Sequence, residues 1–304
     1  MPEEKLPDRI QNEESKTLRP VNEEAEKWLY RPIKCLDFGF VYLVDYLGSD
    51  AAIAQAARVS YGKGTKKVSD DEALIWYLMD NEHTTPFEMC ELKFHAKMPI
   101  FVARQWVRHR TASINEVSRR YSEVSEEFYL PQVGDLRKQS RENRQGREDE
   151  LSAENQAKVL AILQEQYRQQ LSGYREFTEM ELARELARIH ISVANYTEWY
   201  WKIDLRNLFN FLRLRIDKHA QYEIRVYAEA MARIVKDMFP MAYGAFEEFQ
   251  LNADKFSATE KKILRLARSR IRMDEDDMEE LAFKFLKNKR RTKKFLEKWK
   301  SIFK

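Results

Sequence analysis

Between Arg104 and Tyr121 the chain reads Arg-Gln-Trp-Val-Arg-His-Arg-Thr-Ala-Ser-Ile-Asn-Glu-Val-Ser-Arg-Arg-Tyr. Five arginines and one histidine sit among Ser113, Asn115, Glu116 and Ser118, with no lysine and no glycine. Guanidinium is a rigid fork of donors that matches phosphate oxygens, while amides, hydroxyls and a carboxylate suit the edges of a heterocycle or sugar. The mixture points to a pocket for an anionic, ring-bearing small molecule. A nucleic-acid patch is the competing reading of so many arginines. Glu123, Glu126 and Glu127 follow at once, and an acidic run beside the patch opposes a polyanion.

A second constellation is Arg206-Asn-Leu-Phe-Asn210 with Arg215 and His219. Arg206 and Asn210 are four apart, as are Arg215 and His219, so on one helix each pair would project together. Leu205, Leu208, Phe209, Leu212 and Ile216 make an apolar stripe, and Arg215 falls on its edge. There an arginine either snorkels to solvent or enters a ligand pocket. His219 by itself reads as a structural histidine. The third feature, His83-Thr-Thr-Pro-Phe-Glu88, reads as a turn before a strand.

Other chemistries lack their signatures. There is no H-E-x-x-H and no Cys/His cluster, so a metal site is not expected. There is no Walker A loop, G-x-G-x-x-G or G-x-S-x-G, so a nucleotide would not be held in a P-loop or a typical Rossmann turn. Cys90 lies on the apolar side of a strand pattern and reads as core, and Cys35 has no adjacent histidine to favour a thiolate.

These groups need a scaffold. The 304 residues suffice for one sizeable core, or a main domain with an appendage, and they carry 53 Lys and Arg against 50 Asp and Glu, a net charge of +3. With 34% charged residues and a mean hydropathy of −0.67, the composition suits a helix-rich protein with long solvated faces. No membrane-spanning run or signal-peptide pattern is present, and a cytoplasmic location is expected.

Residues 1–35, polar, acidic and proline-bearing, read as a loosely attached leader. Gly39 to Leu47 reads as a strand, and alanine-rich Asp50 to Val59 as a helix. Ser69-Asp-Asp-Glu72 is a capping box that opens a helix through Met79. The clearest strand alternates Cys90, Leu92, Phe94, Ala96 and Met98 with Glu91, Lys93, His95 and Lys97. Pro99 then opens a helix to about His109, with Arg104 and Arg108 on one face. Residues from Thr111 start irregular, and 134–150 form a polar exposed insertion. From Leu151 the pattern is helical to the end, with breaks near Gly173, Pro240 and Asp254. Ser257-Ala-Thr-Glu260 is another capping box, opening a basic extension over 253–304 with Phe295, Trp299 and Ile302 on one face. Packing of that face against a neighbouring subunit is favoured over a membrane or nucleic acid. The fold class expected is α+β, one mixed sheet packed with several long helices, plus a helical C-terminal extension.

Arg108-His-Arg110, then seven residues, then Ser118 resembles the signature of the flavin-dependent thymidylate synthases. Further blocks in family order are His83–Glu88, Pro99-Ile-Phe-Val-Ala-Arg-Gln-Trp, Ser118-Arg-Arg-Tyr-Ser, Ala187-Arg188 and Asn210–Gln221, so the likeness spans roughly 36–252. The resemblance implies methylation of dUMP to dTMP, with methylenetetrahydrofolate as carbon donor and flavin-borne hydride from NADPH. It also implies a homotetramer with active sites shared between subunits.

Carried over by position, the resemblance gives dUMP to Gln105, Trp106, Val107, Arg108, Glu116, Val117, Ser118, Arg119, Arg120, Arg188 and Arg215. It gives FAD to Thr85, Arg108, His109, Arg110, Glu116, Asp204, Leu205, Arg206 and Asn210, and makes His83 and His219 pocket or folate histidines. Arg215 would bond the pyrimidine at N3 and O2 and push electron density toward C5, replacing a cysteine nucleophile. Two positions depart from the pattern: Asp204 stands where Asn is frequent, and Ser192 where proline is common.

Overall fold

The alternation around Cys90 to Met98 is realised as strand β3 (Glu91–Pro99), the middle of a five-stranded sheet. The sheet order is β1 (Ile33–Cys35), β2 (Gly39–Leu47), β3, β7 (Tyr196–Asp204), β4 (Ser113–Glu116), with every neighbouring pair antiparallel. The computed structural model describes residues 18–59, 71–141, 146–254, 256–259, 275–287 and 289–303. Two units are distinct, Met1–Leu251 and Asn252–Lys304.

Register puts Leu43, Phe94 and Trp201 side by side on one face of the sheet, where Ala96 and Trp199 join them. That face is covered by helices α5 (Ile100–Trp106), α8 (Leu205–Ile216) and α9 (Tyr222–Met238), and Trp106, Phe211 and Tyr227 are fully buried against it. Apolar side chains on alternate strand positions and on one helical stripe must remove their surface from water, and this layer is where they do so. Gly39 is required by close approach: a Cβ there would lie 2.0 Å from the Tyr227 hydroxyl, which donates to the Lys97 carbonyl at 2.8 Å.

Several expectations change. Residues 18–35 are not a loose leader, since α1 (Glu23–Trp28) is capped by Asn22 and Ala25 is buried. The Asn22 side-chain amide also donates to the Met238 carbonyl at 2.8 Å, and residues 1–17 lie outside the described residues. The helix after Pro99 stops at Trp106, so Arg104 and Arg108 do not share a helical face. The irregular start at Thr111 gives way to strand β4, and the 134–150 insertion contains a hairpin of β5 (Arg137–Gln139) and β6 (Arg147–Glu150). Arg147 ties that hairpin to buried Glu223 by an ion pair.

The largest difference is β7, which interrupts the expected helical run. Its outward positions Tyr196 and Tyr200 are aromatic, which blurs the apolar-polar alternation that marks a strand. Gly173 does not break α6 (Ala153–Glu179); a Cβ there would come within 3.1 Å of the His190 ring, so the glycine provides clearance. Pro240 does mark a break, opening α10 (Pro240–Phe246) after α9.

Helices α2 (Asp50–Val59) and α3 (Asp71–Asp80) match the expected segments, while Ser69 lies outside the described residues. Asp50 is buried and accepts the N–H groups of Met241 at 2.8 Å and Ala242 at 3.1 Å, anchoring the start of α10. Burial raises its carboxyl to about 6, against those two hydrogen bonds. A folded-state pKa raised above the unfolded one stabilises fully below the unfolded value, and that contribution disappears as pH climbs through the folded value. Relative to Asp50→Asn, the wild type is therefore expected to lose about 2–3 kcal/mol between roughly pH 4 and pH 7. Thermal unfolding of both across that range checks this; a constant difference would mean that Asp50 titrates normally.

In the second unit, α11 (Glu275–Leu286) and α12 (Lys289–Phe303) form a helical pair. Ala282, Leu296 and Trp299 are buried, whereas Phe295 is exposed, so the apolar face of α12 is set by Leu296 rather than Phe295. Glu260 and the side chain of Ile302 lie outside the described residues.

Candidate active site

Helix α8 carries Arg215 back across the sheet to the end of α5. Its Nε donates to His109 Nε2 at 3.0 Å, and its Nη2 donates to the Gln105 carbonyl at 3.3 Å. The His109 ring sits edge-on to Phe211 at 4.9 Å. Burial, and then the charge of Arg215, lower His109 to about 4, so it is a neutral acceptor. Burial alone lowers Arg215 from its ordinary value, with no carboxylate contributing. Among the described residues no acidic side chain pairs with this half-buried cation. The Gln105 side-chain amide donates to the Gln221 side-chain Oε1, which ties α5 to the start of α9.

The second group is the turn after β4. The Val117 N–H donates to the Glu198 carbonyl at 2.9 Å, and the Ser118 carbonyl takes the N–H groups of Tyr121 and Ser122. Ser118 Oγ accepts the Arg120 N–H at 3.3 Å. Arg119 turns inward, its Nη1 donating to the Glu123 carbonyl and its Nη2 to the Tyr196 carbonyl, so its guanidinium braces the turn. Arg120 faces solvent and pairs with Glu185 of α7 (Arg184–Ala187) at 2.9 Å. Arg188 follows α7, half-buried and without a side-chain partner among the described residues. Glu116 accepts the Thr197 hydroxyl at 2.6 Å. No hydrogen bond or ion pair among the described residues joins this turn to the Arg215 group.

Arg108 and Arg110 are exposed and make no side-chain hydrogen bond or ion pair among the described residues. Thr85, exposed, opens the short helix α4 (Thr85–Glu88), and His83 rests edge-on against Tyr77 at 5.7 Å. Arg206 and Asn210 do not act as a pair: Arg206 bonds Asn207 and Asn210 bonds Arg213. Both Asp204 oxygens are engaged by Asn207 as the cap of α8. His219 lies beyond the end of α8, exposed, and pairs with Asp217, so it does not project with Arg215. The Trp106 and Leu205 side chains are fully buried in the core, so neither presents a side chain to a ligand. Val107 is exposed at the end of α5. Ser192 in the proline-like position uses its N–H, which a proline would lack, to donate to Gln170 at 2.7 Å.

A supporting network was invisible in the sequence because strand alternation reads its members as solvent-facing. On the outer sheet face Tyr42, His95 and Tyr200 are register neighbours, and His95 bonds Tyr42 at 2.6 Å and Glu198 at 3.2 Å. Lys97 pairs with Glu127 at 2.8 Å and lies 3.9 Å from Glu198. The His95 hydrogen bond, then Lys97, hold the Glu198 carboxyl below its ordinary range despite burial. Glu123, Glu126 and Glu127 all find cations, in Arg184, Arg175 and Lys97.

Both cysteines are buried, and burial pushes each thiol up to about 12. Among the described residues no group of three or more His, Cys, Asp or Glu could hold a metal ion, and no helix is long and apolar enough to cross a membrane.

The profile of a family described as Thymidylate synthase complementing protein matches residues 42–241. A flavin-dependent thymidylate synthase of Gluconobacter oxydans (strain 621H) is 54% identical over 252 residues, covering 82% of this chain and 83% of that relative. Another from Rickettsia conorii (strain ATCC VR-613 / Malish 7) is 55% identical over 245 residues, covering 76% of this chain and 83% of that relative. A UMP/dUMP methylase, PolB from Streptomyces cacaoi, solved with 5-Br dUMP bound, matches with a TM-score of 0.66 at 31% identity. That match covers 72% of this chain and 99% of PolB.

Proposed function

The chain belongs to the flavin-dependent thymidylate synthase family, and from that membership we propose that it methylates dUMP to dTMP with methylenetetrahydrofolate, NADPH and FAD. The observation that carries the arginine-assisted form of this reaction is Arg215, a half-buried cation whose bonded partners are both neutral. A cation left uncompensated by the protein is reserved for charge that a ligand brings.

Arg215 meets the pyrimidine at N3 and O2, stabilises negative charge there and raises electron density at C5. C5 then attacks the methylene carbon as one folate nitrogen–methylene bond opens; the C5 proton is lost to solvent, and the second nitrogen–methylene bond breaks to release the folate. FAD reduced by NADPH would, when bound, supply the hydride that completes the methyl group. Ser118, the N–H groups of its turn, Arg120 and Arg188 take the phosphate, while Arg119 braces that turn. Gln105 and Glu116 flank the ring. Arg108 and Arg110, exposed and without partners among the described residues, have the donor chemistry a flavin dinucleotide's pyrophosphate takes up. Thr85, His109, Arg206 and Asn210 complete the FAD contacts, with His83 and His219 at the folate side. Asp204 and Leu205 contribute through backbone, since one carboxylate caps α8 and the other side chain is core. In a homotetramer with shared sites, the Arg215 group and the Ser118 turn serving one dUMP would come from different subunits.

A thiol mechanism is disfavoured by both cysteines being buried with raised pKa. Cys35→Ala and Cys90→Ala are each expected to keep turnover within about threefold while costing about 1–2 kcal/mol of stability. Loss of turnover in a folded, flavin-bearing Cys→Ala protein would restore the thiol route. The reaction itself is tested by flavin absorbance of the purified protein, NADPH oxidation and tritium release from 5-labelled dUMP. Both rates should require the folate; a colourless protein, or release without folate, contradicts the assignment.

A further inference from the structure

We propose that His109 is a positioning residue for Arg215, fixing which edge of the guanidinium meets the pyrimidine. The inference rests on the reading of Arg215 given above. A guanidinium has five N–H donors arranged along three edges of a plane. The Nε–H and one Nη2–H make up the side-on edge, and here both are taken, by His109 Nε2 at 3.0 Å and by the Gln105 carbonyl at 3.3 Å. What remains is the Nη1 pair and one Nη2–H, the end-on fork. Two parallel donors there match adjacent N3 and O2 of a deprotonated uracil, whereas a freely rotating arginine would offer either edge.

The identity of the acceptor matters as much as its place. An aspartate or glutamate at position 109 would orient Arg215 equally well but neutralise it, and would blunt the field that the ring anion needs. A neutral imidazole orients the cation and leaves its charge uncompensated. That requires the tautomer with its proton on Nδ1, which leaves Nε2 as a lone-pair acceptor. Burial and the adjacent Arg215 charge both oppose a second proton on the ring, which therefore stays neutral near neutral pH, and the Arg215 Nε–H selects the tautomer with Nε2 free to accept. The ring plane is fixed in turn by Phe211, which is fully buried and packs on Trp106 and Trp201 at 5.2 Å each. Orientation therefore passes from the aromatic core through Phe211 and His109 to Arg215.

The test compares His109→Leu, which keeps volume without an acceptor, with His109→Gln, whose amide oxygen is a neutral acceptor. Circular dichroism establishes that each variant is folded, and flavin is supplied in excess in every assay because His109 is also placed among the FAD contacts. The signature is the apparent N3 ionisation of bound 5-fluoro-dUMP, followed by ¹⁹F NMR across pH. The wild type should ionise the bound ring at lower pH than the free nucleotide, and Arg215→Ala should lose that shift. His109→Leu should lose it as well, with kcat falling about 10²-fold, the scale of a misplaced catalytic group, and KM for dUMP changing less. His109→Gln should recover most of both. If His109→Leu does not fold, the comparison of His109→Gln with His109→Asn, whose shorter amide cannot reach, replaces it. A wild-type shift retained in the acceptor-free variant overturns the positioning role of His109 and leaves Arg215 intact. Absence of the shift in the wild type overturns the Arg215 reading, and this inference with it.

Discussion

Arg215→Ala is expected to lower kcat by about 10³-fold or more, with flavin still bound and with no loss of thermal stability. Removing a single preorganised donor from an oxyanion site costs about 10²–10³ in kcat, and here a fork of donors and a full charge go together. The stability side has the opposite sign from most buried deletions. Arg215 is half-buried with neutral partners only, so its desolvation is not repaid by an ion pair and its removal relieves a cost. Arg215→Lys should fall between the two, because an ammonium keeps the charge but cannot present two parallel donors. The measurement is steady-state turnover of dUMP beside flavin absorbance and a melting curve. Activity within tenfold of wild type would remove Arg215 from the chemistry, and a large drop in melting temperature would recast it as a structural residue.

How the sequence announced this site, and how it concealed part of it, follows from what each signal measures. Arginine is unusual on an apolar stripe, so Arg215 stood out from its spacing to Leu208, and the stripe is indeed the buried face of α8. The Arg108-His-Arg110 run stood out because its residue types argue against an ordinary solvated face, and of the three only His109 is drawn toward Arg215 while the two arginines are exposed. Strand β3 was legible because apolar residues occupy every second position, and β2 because β-branched and aromatic residues dominate an unbroken run from Phe40 to Val44. The same test failed on β7, where Tyr196 and Tyr200 put aromatic rings on the outward side and Glu198 joins a network with His95 and Lys97. Alternation identifies which side chains share a face, but not whether a second layer of polar and aromatic groups covers that face. Position-by-position transfer had a similar blind spot. It gives Trp106, Leu205 and Arg119 to ligands without saying by which atoms; the fold leaves Trp106 and Leu205 only backbone to offer, and turns the Arg119 guanidinium onto the Glu123 and Tyr196 carbonyls. Neighbours in sequence shared a motif while facing opposite sides of the backbone.

Trp106→Ala should destabilise the protein by about 3–5 kcal/mol, the range for emptying a large buried aromatic site. The indole is fully buried at the end of α5 and meets Trp199 and Trp201 edge-on at 5.4 and 5.2 Å. It also packs on Phe211 at 5.2 Å and Tyr227 at 5.8 Å, so it joins the sheet to both α8 and α9. Each of these aromatic partners belongs to a strand or helix of the core, which resists collapse into the space. Its indole nitrogen has no hydrogen-bond partner among the described residues, so truncation strands no acceptor there and the cost is one of packing. Trp106→Phe, which retains a ring for Phe211 and the two tryptophans, should cost less than half as much. Denaturant unfolding of the three proteins gives the comparison directly. A functional consequence follows from the same contacts: Phe211 orients His109, and a cavity beside Phe211 loosens the ring that holds Arg215. Under conditions where Trp106→Ala is still folded, kcat should drop while the KM for dUMP changes less, since the phosphate site proposed above is the Ser118 turn and not the Arg215 group. A variant that loses stability but keeps wild-type kcat would show that the aromatic core supports the fold without tuning the arginine.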